Sequence, residues 1–144
     1  MRPGKSNIVA GLLFLAAFMA FGFVLIYLRD FAADKEAWAA AYAIGDHFEA
    51  RLAHVHGNLF AFLNVVIGYL LLQLPVAVGS ARWISRLGLV GMLMPVGILA
   101  ELVLGAPPVF VLAGGIAMIA AIAWLGVAVA WGGPALVPGT VVRS

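Results

Sequence analysis

Two imidazoles, two carboxamides and a guanidinium fall within one otherwise apolar run, Glu49-Ala-Arg-Leu-Ala-His-Val-His-Gly-Asn-Leu-Phe-Ala-Phe-Leu-Asn64. Unpaired polar groups are costly to take out of water, so a membrane chain that retains them at the bilayer usually uses them. Imidazole nitrogen beside apolar and aromatic residues is the chemistry of a metal or haem ligand. A second candidate is Glu101, a carboxylate in a stretch otherwise apolar enough to lie in lipid. Such a group reads equally as a functional carboxylate or as a residue near the interface, one turn before Gly105.

Turning about 100° per residue, a helix places His47, Arg51, His54 and Asn58 on one stripe that continues toward Tyr69. His56 points nearly the opposite way, with Phe60, Leu63 and Ile67, and Asn64 lies at the edge of that face near Phe60. The two imidazoles of His54 and His56 therefore cannot both face one cofactor from a regular helix. A purely structural reading makes them an interfacial cluster bonded to headgroups, Asp46 or Glu49, and Asn64 taken alone reads as interhelix glue. The group as a whole favours a ligand site.

Zinc fits less well, because the three histidines are spread over opposite faces and no HExxH pair accompanies them. Haem needs one axial nitrogen and an apolar pocket, for which Phe60, Phe62 and glycine-lined faces supply walls. The chain has no cysteine, which excludes disulfides, thiolate ligands and c-type attachment. The natural cofactor is then haem b. A water-filled proton path would need several acids at depth, and only Glu101 is present.

The elements that must position these residues are membrane helices. Of 144 residues, 65% are hydrophobic and 10% charged, which sets the chain apart from soluble domains. Four windows suffice to cross a bilayer: residues 8–28, 52–72, 87–104 and 109–131. They are continuously apolar rather than alternating, which excludes a β-barrel. The expected fold is a single all-α domain, a four-helix transmembrane bundle. No basic run suggests nucleic acid.

The first span reads as scaffold. The loop 29–46 is expected to hold a short interfacial helix, with Trp38 and Tyr42 at headgroup level. Pro75 ends the second span, and the short turn after it makes spans two and three antiparallel neighbours. Pro95 predicts a kink in the third. Small residues in the fourth, including Gly114 and Gly115, predict close packing on another helix or subunit. Residues 132–144 read as a flexible tail. Arg2, Lys5, Arg82, Arg86 and Arg143 fall on one side, against Arg29, Lys35 and Arg51 offset by five acids on the other. Positive-inside bias puts both termini in the cytoplasm, and the expected location is a bacterial inner membrane.

His56-Gly57-Asn58-Leu59-Phe60-Ala61-Phe62 resembles the haem-ligating second helix of haem-copper oxidase catalytic subunits, which have many more helices and ligand histidines than this chain. The four-span layout, Ala53-His54 or His56 with Gly57, Leu74-Pro75 and Leu87-Gly88 together resemble the styrene oxide isomerase family. That resemblance implies a trimer with haem b between subunits. It also implies an isomerase whose ferric iron opens an epoxide by Lewis-acid action, a hydride shift giving an aldehyde. The family is expected to use a tyrosine in its third helix, where this chain has Glu101 in roughly that register.

The reading is thus a haem b membrane isomerase acting on a small hydrophobic epoxide. His56 is the axial ligand, with His54 in reserve, Phe60 and Arg51 hold the cofactor, and Asn58, Asn64 or Glu101 orient substrate. One alternative is a haem- or metal-binding membrane protein without catalysis, serving electron transfer, sensing or oxidase assembly. Another is a small structural or transport bundle without cofactor, built on Glu101 and the Pro95 kink.

Overall fold

The computed structural model describes residues 3–131, so the expected tail and the cations Arg2 and Arg143 lie outside the described residues. The described residues form helices joined by short turns, with no strand among them. Helix α1 spans Lys5–Asp30, α2 Lys35–Ala40, α3 Gly45–Gln73, α4 Val78–Gly91, α5 Leu93–Leu104 and α6 Val109–Trp131. Four stretches are long and apolar enough to cross a membrane: α1, α3, α4 with α5 as one broken stretch, and α6. The fold is a four-helix transmembrane bundle.

Helix α3 begins at Gly45, well before the apolar window that opens at Leu52. Its first two turns carry Asp46, His47, Glu49 and Arg51, which lower hydropathy without interrupting the backbone ladder. Asp46 lies in the first turn, where a negative charge complements the helix dipole. Leu74 ends the helix in extended backbone, φ −99° and ψ 148°, as expected of a residue that precedes proline. A short helix, α2, lies in the segment between the first two spans.

The third crossing breaks at Met92, one turn ahead of Pro95. Pro95 has no N–H to give the Gly91 carbonyl, and the Met92 N–H instead donates to Leu89, 3.1 Å away, in a tighter turn. Helix α6 seats against this break through Gly114. A Cβ there would lie 2.9 Å from the Gly91 oxygen and collide with the Met94 backbone nitrogen. Of the small residues of α6, Gly114, Ala117 and Ala121 are buried inside the chain, while Ala113, Ala123 and Gly126 are exposed.

Packing centres on Phe60 and Ile67 of α3, Ile84 of α4, and Met118, Ala121 and Leu125 of α6. Helix α1 lies along α3, with Phe18 seated where Gly57 has no side chain. In lipid, burial of apolar surface drives little association, so close fit and interhelix hydrogen bonds hold such a bundle.

Candidate cofactor site

The polar stripe of α3 faces α1 and the α2–α3 turn. Between them lies a cavity of about 570 Å³, lined by His47, Arg51, His54 and Asn58 of α3, by Met19, Gly22, Phe23, Leu25, Ile26 and Arg29 of α1, and by Tyr42. Its size falls within the roughly 300–1,000 Å³ of sites that hold cofactors and drug-sized ligands. Most of the α1 wall is apolar, and the two guanidiniums give the site its positive charge.

Each of the three histidines is held differently. His47 is 5% exposed, and its Nδ1 donates to the Trp38 carbonyl at 2.6 Å. Its ring stacks on Trp38 at 4.6 Å between centroids and meets Tyr42 edge-on at 5.4 Å. His56 also commits Nδ1, which donates to the Leu52 carbonyl one turn back at 2.9 Å. A carbonyl only accepts, so Nδ1 carries a proton in both rings.

His54 has no such tie. The Asn58 Nδ2 stands 3.4 Å from both of its ring nitrogens, too far and too evenly placed for a directed bond, and donates to the His54 carbonyl at 2.9 Å instead. Gly22 makes room for this ring, because a Cβ on it would come within 2.9 Å of the imidazole Cε1. Phe21 flanks the imidazole at 6.3 Å. Asn58 leaves its own Oδ1 buried without a partner.

At the polar end, the Arg51 guanidinium lies 3.5 Å over the Tyr42 ring and donates to the Tyr42 carbonyl at 3.1 Å. Arg29 forms two bonds, 2.9 and 2.8 Å, with the exposed Asp30. Both cations have water-facing partners that an anionic ligand could replace.

The structure therefore brings Arg51, His54 and Asn58 together and adds His47, but it places the other candidates elsewhere. His56 lies half-buried beside Phe60, at 6.2 Å between centroids, outside the cavity. Phe60 is a core residue, 8% exposed. Glu101 sits in the last turn of α5 with Oε1 buried and unpartnered, also outside the cavity.

Asn64 belongs to a clasp at the other end of the bundle. Asn7 of α1 donates to the Asn64 Oδ1 at 2.8 Å and to the Ser85 carbonyl at 2.9 Å, while the Ser85 hydroxyl donates back to the Asn7 Oδ1. Asn64 spends its own amide on the Phe60 and Gly88 carbonyls, at 3.1 and 2.8 Å. Every hydrogen-bonding group of both carboxamides is used, and both residues are fully buried. That is the glue role weighed for Asn64 from sequence.

Sequence reasoning missed Asn7, Ser85, Gly22 and Arg29. An Asn and a Ser within otherwise apolar helices were the available signal for the clasp. Nothing in the sequence of α1 marks Gly22. Among the described residues, no group of three or more His, Cys, Asp or Glu is placed to share a metal ion. A haem asks less of the protein: one imidazole, apolar walls and cations for its propionates. His54, α1, and Arg29 with Arg51 fit that donor set. No protein-family model, curated protein or solved structure matches the chain.

Proposed function

We propose that the protein is a haem b-dependent membrane isomerase that converts a small apolar epoxide to an aldehyde, with the cofactor held in the α1–α3 cavity. The observation that carries this reading is the untied imidazole of His54, facing an apolar wall of porphyrin-compatible volume beside two guanidiniums. His54 takes the ligand role in preference to His56 because only His54 lines the cavity. Arg29 and Arg51 would pair with the propionates, and Met19, Phe23 and Ile26 would supply apolar wall.

His47 is already engaged, bonded to the Trp38 carbonyl and stacked on the Trp38 ring, which leaves His54 as the imidazole that would hold a haem here. A ferric haem held by His54 would supply Lewis-acid chemistry for opening an epoxide without net redox change. The apolar α1 wall suits a substrate that arrives from lipid. The homotrimer and the cytoplasmic placement of both termini belong to this proposal, on the resemblance and the charge distribution respectively.

The test is the absorption spectrum of purified protein from haem-supplemented cells, followed by turnover of styrene oxide to phenylacetaldehyde. The expected result is a Soret band that His54→Ala abolishes or shifts and His56→Ala leaves in place, with turnover tracking the band. A colourless protein, or a band untouched by His54→Ala, overturns the reading.

A second reading, haem binding without catalysis, rests on His56. Its Nδ1 bond to the Leu52 carbonyl fixes the ring in the manner typical of ligating histidines and leaves Nε2 for a metal. Loss of the band in His56→Ala, with reversible reduction and no turnover, would select it.

A further inference from the structure

At the opposite end of the bundle from the histidines lies a second cavity, of about 350 Å³, lined by Pro3, Ser6, Arg82, Ser85, Arg86 and Leu89. We propose that it binds the phosphate-bearing headgroup of an acidic phospholipid. Arg82 and Arg86 are one turn apart on α4 and so project from the same face. Neither makes an ion pair among the described residues, where the only such pair is Arg29 with Asp30.

Chain-wide charge placement sharpens the point. All six carboxylate side chains, Asp30, Asp34, Glu36, Asp46, Glu49 and Glu101, lie toward the other end of the bundle. Among the described residues the arginines therefore face no carboxylate. The backbone adds to the field: α1 begins with no side-chain cap, so its first amides and the positive end of its dipole stand beside Ser6.

The floor is rigid. Ser85 is buried, and its hydroxyl and carbonyl are both bound to Asn7, so the arginines rise from a surface fixed by the three-helix clasp. Two guanidiniums with a hydroxyl nearby form a donor set for phosphate oxygens, which forked guanidinium groups bind in pairs. Trp83 on the same turn, with the Arg86 guanidinium 5.5 Å from its ring, suits the headgroup level, where indoles collect. Leu89 supplies an apolar wall on the bilayer side, which a lipid uses and a free phosphate does not.

The proposal is tested on the full chain in mild detergent, by native mass spectrometry with phosphatidylglycerol, phosphatidylcholine or inorganic phosphate. The expected result is retention of phosphatidylglycerol over phosphatidylcholine by about thirtyfold, the scale set by two basic residues near a membrane surface. Arg82→Gln/Arg86→Gln should remove the preference, and Lys35→Gln, at the other end, should keep it. Should the arginine double variant fail to fold, Ser6→Asp puts a negative charge into the same cavity and should remove the preference alone. Retention of phosphate with no lipid preference would make the ligand the free anion and overturn the lipid assignment. Equal retention of both lipids without phosphate binding, or a preference that survives both Arg82→Gln/Arg86→Gln and Ser6→Asp, overturns the site.

Discussion

His54 and Asn64 lie ten positions apart on one helix and do opposite work, and the difference is hydrogen-bond satisfaction. Asn64 has every donor and acceptor engaged, so its loss should be felt in stability. Asn64→Leu strands the Gly88 carbonyl and one Asn7 donor, and should lower stability in detergent by about 1–2 kcal/mol, read from thermal or denaturant unfolding, without shifting any cofactor band. Gly22→Ala should do the reverse. Its methyl crowds the His54 ring across the cavity, so the spectrum of the proposed haem should change while the unfolding midpoint moves little. The helical projection of α3 already grouped His47, Arg51, His54 and Asn58, because period and residue type are local properties. What α1 sets opposite them was not legible: Gly22 makes its contribution by having no side chain, and only the approach of a second helix gives that meaning.

The break between α4 and α5 is a property of an element, although one residue marks it. Pro95 announces an interruption, yet the turn opens at Met92, because the missing donor belongs to the carbonyl one turn earlier. Two adjacent glycines on α6 let this packing be measured. Gly114→Ala drives a methyl into backbone atoms that cannot move aside, and should cost about 1–3 kcal/mol in thermal unfolding. Gly115→Ala meets only the Met94 sulphur at 3.7 Å, an ordinary contact, and should be nearly neutral. Helix α3 likewise begins at Gly45, ahead of its apolar window. Helical backbone continues through polar turns, and the apolar windows trace where lipid begins rather than where the helix does.

Across the whole molecule, charge is sorted by end, with the acids around the histidine cavity and the unpaired arginines of α4 at the other. That separation was readable directly from sequence, since it depends only on the order of spans and loops, whereas the two cavities depend on packing. The absence of cysteine makes the orientation easy to measure. Lys35→Cys, exposed beyond α1, should react in intact cells with a membrane-impermeant maleimide. Gly79→Cys, exposed with open space around it, should react only after lysis. The reverse pattern would overturn the cytoplasmic placement of the termini. Helix α3 also sets a length. Its 29 residues extend about 43 Å, against about 30 Å of hydrocarbon, so it must tilt or protrude. Bilayer thickness thereby determines whether His54 lies among acyl chains or among wetted headgroups. The spectrum of the haem proposed at this imidazole should differ between short-chain and long-chain lipid, giving the protein a sensitivity to mismatch that detergent micelles would conceal.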